Sequence, residues 1–389
     1  MSETSWADPA IWTSTTAAAT AAGVVLSVAL AWVFWRRWKA VREQHRTAHR
    51  RTRMVSQFQS ASPLRVAMTE LEQERDPTAR AAIIEKLKAE ARGSAKSYWA
   101  VMEVMTSHLR RHARSPLGAS PAKGAGTDAK TLAPDIQGIV SFLLHRDTRH
   151  EEQGAGLDLR STDLSHADMR GIYLRYADFR GAALYGTALR GANLRDADLR
   201  SARLAGANFR GADLRGANFS EATLRDADLR YADLRGAVLD NLADLISADL
   251  SNADLRGTIL TDVVLCQAVL SQASLRGARL DFADLRRAVL DGAYLRDVNL
   301  NGADLRHANL RDCDFQDADL RDADLRDSDL RGAKMKGALL RGAQFSNAKL
   351  HRADFRETDI SEANFGSADL NAALMPEPSP DTEARSATQ

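Results

Sequence analysis

The sequence is poor in the residues that staple or fill an ordinary large domain. Two cysteines in 389 residues, Cys266 and Cys313, exclude a disulfide framework and the common cysteine-rich zinc modules. Phe, Trp and Tyr make up only 6% of the chain, which is few for one large globular core. Charge of one sign is missing too. Lys and Arg number 53 against 52 Asp and Glu, a formal net charge of +1. A chain-wide nucleic-acid binder needs a cationic excess to meet phosphate, so that class is excluded. There is no Gly-rich phosphate loop and no nucleophile elbow. A hydrophobic fraction of 44% with 27% charged residues argues against wholesale disorder.

The near-zero average hides segregation. Residues 1–155 carry 22 basic and 15 acidic side chains, a net of +7, whereas residues 156–370 carry 30 and 34, a net of −4. The remaining tail, 371–389, is −2. The chain is a basic head on a mildly acidic body.

Within the head, no charged residue occurs from Ala10 to Trp35, and Ala17–Trp35 is the most apolar part. As a helix this part is about 28 Å long at 1.5 Å per residue, close to the ~30 Å hydrocarbon core of a bilayer. Val24, Val25, Leu26, Val28, Leu30, Trp32, Val33, Phe34 and Trp35 form the predicted anchor, with Trp6 and Trp12 before it and Trp38 after it as interfacial aromatics. Arg36, Arg37, Lys39 and Arg42 begin a run with eight basic residues and one acid, Glu43, up to Arg53. The positive-inside bias therefore predicts a single pass through the cell inner (plasma) membrane, the N-terminus outside and the rest cytoplasmic. Ala29-Leu30-Ala31 would suit signal cleavage, but Glu3 and Asp8 precede the apolar run and the cations come after it. That is the reverse of a secretory signal.

Residues 54–114 read as helices. One ends at Asp76-Pro77, a second runs to Gly93, and a third, beginning after Ser94, carries Trp99, Met102, Met105 and Leu109 at three- and four-residue spacing. His45/His49 and His108/His112 are i, i+4 pairs, but each stands among arginines and neither lies in an H-E-x-x-H, so both are expected on solvated faces without metal. Residues 115–131, rich in Pro, Gly, Ala and Ser, read as a flexible linker. Pro134 opens a short amphipathic helix with Ile136, Ile139, Val140, Leu143 and Leu144, expected to form a lid on the body of the chain.

That body is a five-residue repeat. From Leu159 an apolar residue recurs every fifth position to Leu239, steps once by six to Leu245, and resumes to Leu370. All 43 sites are Leu, Phe, Met or Ile; 33 have Ala two residues earlier, 20 have Asp one before and 23 have Arg one after. A step of five scatters side chains around an α-helix and alternates faces on a strand, so neither regular element fits. A chain that turns a corner in every repeat does fit: Leu and Ala then point inward, Asp and Arg face water, and Gly after Arg supplies the positive φ of the turn. Cys313 takes an Ala position and is expected inside, while Cys266 comes directly after Leu265 and is expected outside.

Units such as ADLRG at 212–216, ANLRD at 192–196 and ADFRG at 177–181 resemble the pentapeptide-repeat proteins over residues 157–374. The resemblance implies an all-β solenoid, a right-handed quadrilateral parallel β-helix with four repeats to a coil. In this chain it is preceded by one transmembrane helix and a small helical region, an arrangement similar to membrane-anchored bacterial members. At ~4.8 Å per coil, ten to eleven coils make a rod of roughly 50 Å. The organisation read from sequence is thus an N-terminus and span (1–35), a basic juxtamembrane segment and helices (36–114), linker (115–131), capping helix (132–156), repeats (157–374) and a disordered tail (375–389). A solenoid end needs a cap, and no helix is visible after Leu370, so the last coil is expected to be covered either by a few of its own residues or by a second copy in a homodimer. The six-residue step is expected to form a bulge at a corner.

The outward charges offer one candidate surface. Eight Asp lie between Arg311 and Asp329, and the next coil is basic. Stacking at +20 places Lys334 over Asp314 and Lys349 over Asp329, and also Arg331 over Arg311 and Arg341 over Arg321. Asp314, Asp319, Asp324, Asp329, Lys334, Lys336 and Lys349 are therefore the candidate partner surface, beside the alternative of a solvated charge ladder. Asp recurs because the repeat supplies it, so paired carboxylates carry no enzymatic signal. The expectation is a non-enzymatic, membrane-anchored scaffold for an unidentified protein, without cofactor, metal or nucleic acid. The alternative is a DNA-mimicking inhibitor or protector of a type II topoisomerase, against which stand the dense arginines.

Overall fold

The computed structural model describes residues 63–91, 95–114, 132–148 and 156–377. The predicted anchor, the basic run from Arg36 and the linker lie outside the described residues. Among those residues no helix is long and apolar enough to cross a membrane.

Among the described residues four helices precede the rod: α1 Pro63–Gln73, α2 Pro77–Ala91, α3 Ala95–His112 and α4 Pro134–His145. Proline opens three of them, where its missing N–H would have had no helical partner. Asp76 caps α2, its carboxylate accepting the Ala79 N–H at 2.8 Å. Ile83, Ile84 and Leu87 of α2 are buried with Met102, Met105 and Leu109 of α3 and Ile136, Ile139, Val140 and Leu143 of α4. These form one small helical core, with α4 packed on α2 and α3.

From Leu157 the chain winds into a four-sided parallel β-helix. Successive coils are bridged repeat by repeat, at a register of 20 from Asp158–Asp178 onward, with Asp359 left out of the ladder. Except in the last coil, the leucine of each repeat and the alanine two residues before it are buried, most at 0–1% exposure. Where Ala is replaced by a polar residue the polar atom is satisfied inside: the Thr162, Thr258 and Ser328 hydroxyls donate to the carbonyls of Leu159, Leu255 and Leu325 at 2.6–2.7 Å.

Backbone accounting explains the period. In the repeat centred on Phe179, the Phe179 N–H donates to Asp198 O, the Gly181 N–H to Arg200 O, and the Asp178 N–H back to Leu157 O. The Ala182 N–H closes the corner on Phe179 O at 2.9 Å. Gly181 sits at φ 65, the left-handed conformation that such a turn demands at its third residue. Four of five N–H groups are thereby paired, and the fifth belongs to Arg180.

At the six-residue step the register lengthens to 21, from Asn218–Val238 to Thr223–Asp244. The extra residue is absorbed at a corner, where Asn241 and Leu242 both take positive φ, 56 and 60.

The first coil is joined to the helices by main chain. The end of α3 continues into an antiparallel bridge between Arg114 and Thr162, and Ala113 O accepts the Asp163 N–H. Arg110 donates to Asp158 O at 2.6 Å and pairs with its carboxylate at 3.2 Å. Just beyond α4, Arg146 bridges Leu143 O and Tyr173 O. At the other end Ile360, Phe365, Leu370 and Met375 are not buried, so the described residues leave the last coil half-open.

Candidate interaction surface

The outward side chains of a repeat are built around the N–H that the ladder leaves over. In Asp178-Phe179-Arg180 the Asp178 Oδ1 accepts the Arg180 backbone N–H at 3.2 Å and its Nε at 2.9 Å, while Oδ2 accepts Nη2 at 2.7 Å. The same fork recurs, for example, at Asp213–Arg215, Asp284–Arg286 and Asp354–Arg356. Asn193 and Asn208 perform the backbone half alone for Arg195 and Arg210. The Asp of the repeat is therefore a backbone cap, and the Arg is tethered to it.

Forks also link coils. Arg286 Nε approaches Asp304 at 3.7 Å and Arg306 Nε approaches Asp324 at 3.5 Å. The result is an alternating ladder of carboxylate and guanidinium along one face. Its electrostatic effect is plain at Asp284, whose carboxyl the Arg286 fork holds down to about 2. Each exposed rung contributes about 1 kcal/mol or less to stability, because water screens it.

The residues predicted as a partner surface are distributed around the rod. Successive repeats occupy successive faces, so Asp314, Asp319, Asp324 and Asp329 stand on four different sides. Asp319, Asp324 and Asp329 are forked to Arg321, Arg326 and Arg331 at 2.6 Å, and Asp314 accepts the Gln316 N–H. Lys334 is bridged to Asp314 and Lys349 to Asp329 across coils. Lys336 pairs with Glu357 at 2.9 Å. An acidic girdle is thus stacked on a basic one, with no single face holding all seven. Arg331 and Arg321, each forked to a carboxylate, are shielded from the arginines stacked on them.

Cys313 is buried and its Sγ donates to Leu290 O at 3.0 Å, with burial pushing the thiol up to about 12. Cys266 is half-exposed. Burial and the Asp284 carboxylate raise its thiol as well.

One cluster overturns the sequence reading. His108, expected on a solvated face, is 1% exposed. Its Nε2 lies 2.8 Å from Asp135 Oδ2, which also accepts Arg80 Nε at 2.7 Å. Its ring stacks on His112 at 4.2 Å. The arginines beside it in sequence suggested exposure, but Arg110 and Arg111 fall on other sides of α3. The missed signal was Asp135, an acid inside an otherwise apolar helix start. Burial lowers His108 below its ordinary value despite the Asp135 contact. Among the described residues no group of three or more His, Cys, Asp or Glu is arranged to hold a metal ion.

The chain matches the family model described as Pentapeptide repeats in eight copies, from residues 155–191 through to 338–375. No curated protein matches it. Among solved structures it is similar to HetL, a pentapeptide repeat protein involved in heterocyst differentiation regulation in the cyanobacterium Nostoc. The identity is 33%, over 55% of this chain and 92% of that one, at a TM-score of 0.28. It is similar also to Rfr23 of the cyanobacterium Cyanothece, at 27% identity over 28% and 60% and a TM-score of 0.22. QnrB1, a plasmid-mediated fluoroquinolone resistance protein, is 18% identical over 60% and 96%, with a TM-score of 0.27.

Proposed function

Because this chain belongs to the pentapeptide-repeat family, we propose that it is a non-enzymatic protein-interaction scaffold, held at the inner face of the plasma membrane by its N-terminal apolar segment. The observation that carries this reading is the use made of the side chains. Leu and Ala fill the rod and Asp caps its backbone, while Arg is tethered to Asp. What remains is a stiff, four-faced display in which any outward position varies without cost to the core. Such a surface recognises partners by shape and pattern. The acidic and basic girdles at Asp314–Asp329 and Lys334–Lys349 are one such pattern, and charge reversal at Asp319, Asp324 and Asp329 removes partner contacts on this reading.

The apolar run at Ala17–Trp35 and the cations from Arg36 support a single-pass topology with the rod in the cytoplasm. A reporter fused after Gln389 that is active only on the outer side overturns it. The half-open last coil supports a homodimer through that end, and light scattering of the full chain giving a monomer removes it.

Mimicry of a DNA duplex is disfavoured, because a mimic needs a continuous run of unneutralised acid and here the arginine forks neutralise it. The deciding experiment is proximity labelling from the rod in cells, with crosslinks mapped to faces. Reproducible protein neighbours on defined faces are the expected outcome. Gyrase inhibition by the purified protein, without such neighbours, reverses the choice.

A further inference from the structure

One corner of the rod carries two large apolar side chains two coils apart. The residue at each corner must take positive φ, and the sequence meets that demand mostly with Gly, Asp, Asn, Ser or Gln. A large aliphatic or aromatic side chain is sterically strained there and is also pushed into water. Leu242 and Phe282 combine both, at φ 60 each and with 70% and 60% exposure; Tyr231 on another corner does so too, at φ 60 and 55%, but Arg210 lies over its ring at 5.3 Å. Leu242 and Phe282 share one corner. Gly302, in the coil beyond, is what lets the Phe282 ring lie where it does: a Cβ at Gly302 would come within 2.7 Å of the ring.

The column along this corner reads Glu221, Leu242, Asp262, Phe282, at steps of ~4.8 Å. The two acids are exposed. Glu221 accepts a hydroxyl from Ser201 at 2.9 Å, and among the described residues Asp262 makes no ion pair. Beside the column, Val238 and Ile259 on one flanking face and Ile246 and Val264 on the other are half-buried, in places that forks occupy elsewhere. At the same height the two opposite faces keep theirs, at Asp228–Arg230, Asp233–Arg235 and Asp254–Arg256. The corner thus carries apolar side chains and two exposed acids between the Arg225–Asp244 and Arg279–Asp281 pairs and the Asp284–Arg286 fork, whereas the opposite side is clamped by those three forks.

We propose that this corner is a docking site for a protein segment that alternates Lys or Arg with large apolar side chains. The partner's cations meet Glu221 and Asp262, and its apolar side chains cover Leu242, Phe282 and the valine and isoleucine flanks. Charge complementarity selects this occupant, since an acidic or uncharged apolar segment leaves the two carboxylates unpaired as water is expelled. The site rests on the scaffold reading and supplies the chemistry of its partner.

The test uses the full chain in detergent with a short fluorescein-labelled peptide alternating Lys and Leu, and a Glu-Leu counterpart, read by anisotropy. Binding of the Lys-Leu peptide is expected, weakened at least about tenfold by Leu242→Asp with Phe282→Asp, reversed in charge preference by Glu221→Lys with Asp262→Lys, and unchanged by Tyr294→Asp on another face. Equal binding of both peptides to the wild type, or no loss in the double variant, overturns the proposal. So does tighter, Leu242-dependent binding of a synthetic peptide of residues 36–58, which would make this chain's own head the occupant. In cells, proximity labelling by the Leu242→Asp, Phe282→Asp variant separates the two readings. Undiminished labelling sinks the corner and leaves the scaffold, whereas no labelling by the wild type sinks the scaffold itself.

Discussion

Asp284 holds Arg286, two residues on, by three hydrogen bonds at once: Oδ1 accepts the backbone N–H at 3.2 Å and Nε at 2.8 Å, and Oδ2 accepts Nη2 at 2.7 Å. The backbone bond and the fork are separable by substitution. Asp284→Asn retains an acceptor for the N–H and loses the ion pair, for a cost of about 0.5 kcal/mol. Asp284→Ala loses both, for about 1–2 kcal/mol. Thermal melting of the two variants should therefore rank them in that order. Coincident melts would mean that capping the N–H adds nothing.

The forks also set the response to acid. Asp168, Asp213, Asp228, Asp284, Asp324 and Asp354 lie below their ordinary value, chiefly through the side-chain bond to the following Arg and against a smaller opposing effect of burial. A carboxylate depressed in the folded state contributes stability that is fully present above its unfolded value of 3.8. It is lost as pH falls toward the folded value, about 2 for Asp284. The strand signal of the rod should hold its melting temperature from neutral pH down to about 4 and decline below it. A rod whose stability rises on acidification contradicts this assignment.

The rod was almost wholly legible in the sequence: a period of five calls for a corner in every repeat, its inward residues never vary in character, and the resemblance to the pentapeptide-repeat proteins implied the four-sided parallel coil. Leu at one position and Ala two before it follow from the width of the coil. The Asp and Arg beside them were less legible. Both were expected simply to face water, since nothing in a pattern of side chains reveals which N–H the ladder leaves over. His108 was misplaced for a related reason: sequence neighbours on a helix point to different sides, so Arg110 and Arg111 said nothing about its surroundings. The distribution of Asp314 to Asp329 over four faces is a consequence of the period itself, and only stacked coils make the girdle visible.

The His108–Asp135 contact predicts a second, earlier acid transition. Asp135 is fully buried and serves both Arg80 and His108. Asp135→Ala leaves two buried partners without their acceptor and should cost about 3–5 kcal/mol, lost from the helical far-ultraviolet signal. Burial places His108 below 6.5, so the unfolded chain takes the proton first. The stability of this unit is complete above about pH 6.5 and declines below it, whereas the rod holds to about 4. A single acid transition in both signals would contradict the separation.

Leu242 offers the sharpest division between stability and function. Its φ of 60 costs a leucine about 1–2 kcal/mol, and 70% of its surface faces water, so the fold gains little from the side chain. Leu242→Gly removes that strain, although glycine returns part of the gain through its greater freedom in the unfolded chain. The net effect expected is a stabilisation of about 0.5–1 kcal/mol, read from thermal or denaturant melts of the full chain. Replacing a corner residue that merely accommodates the six-residue step should leave partner binding untouched. A residue retained for docking gives the opposite pair of results: the variant is more stable and binds the Lys-Leu peptide more weakly. A variant that is both less stable and equally competent to bind would place Leu242 among the structural residues.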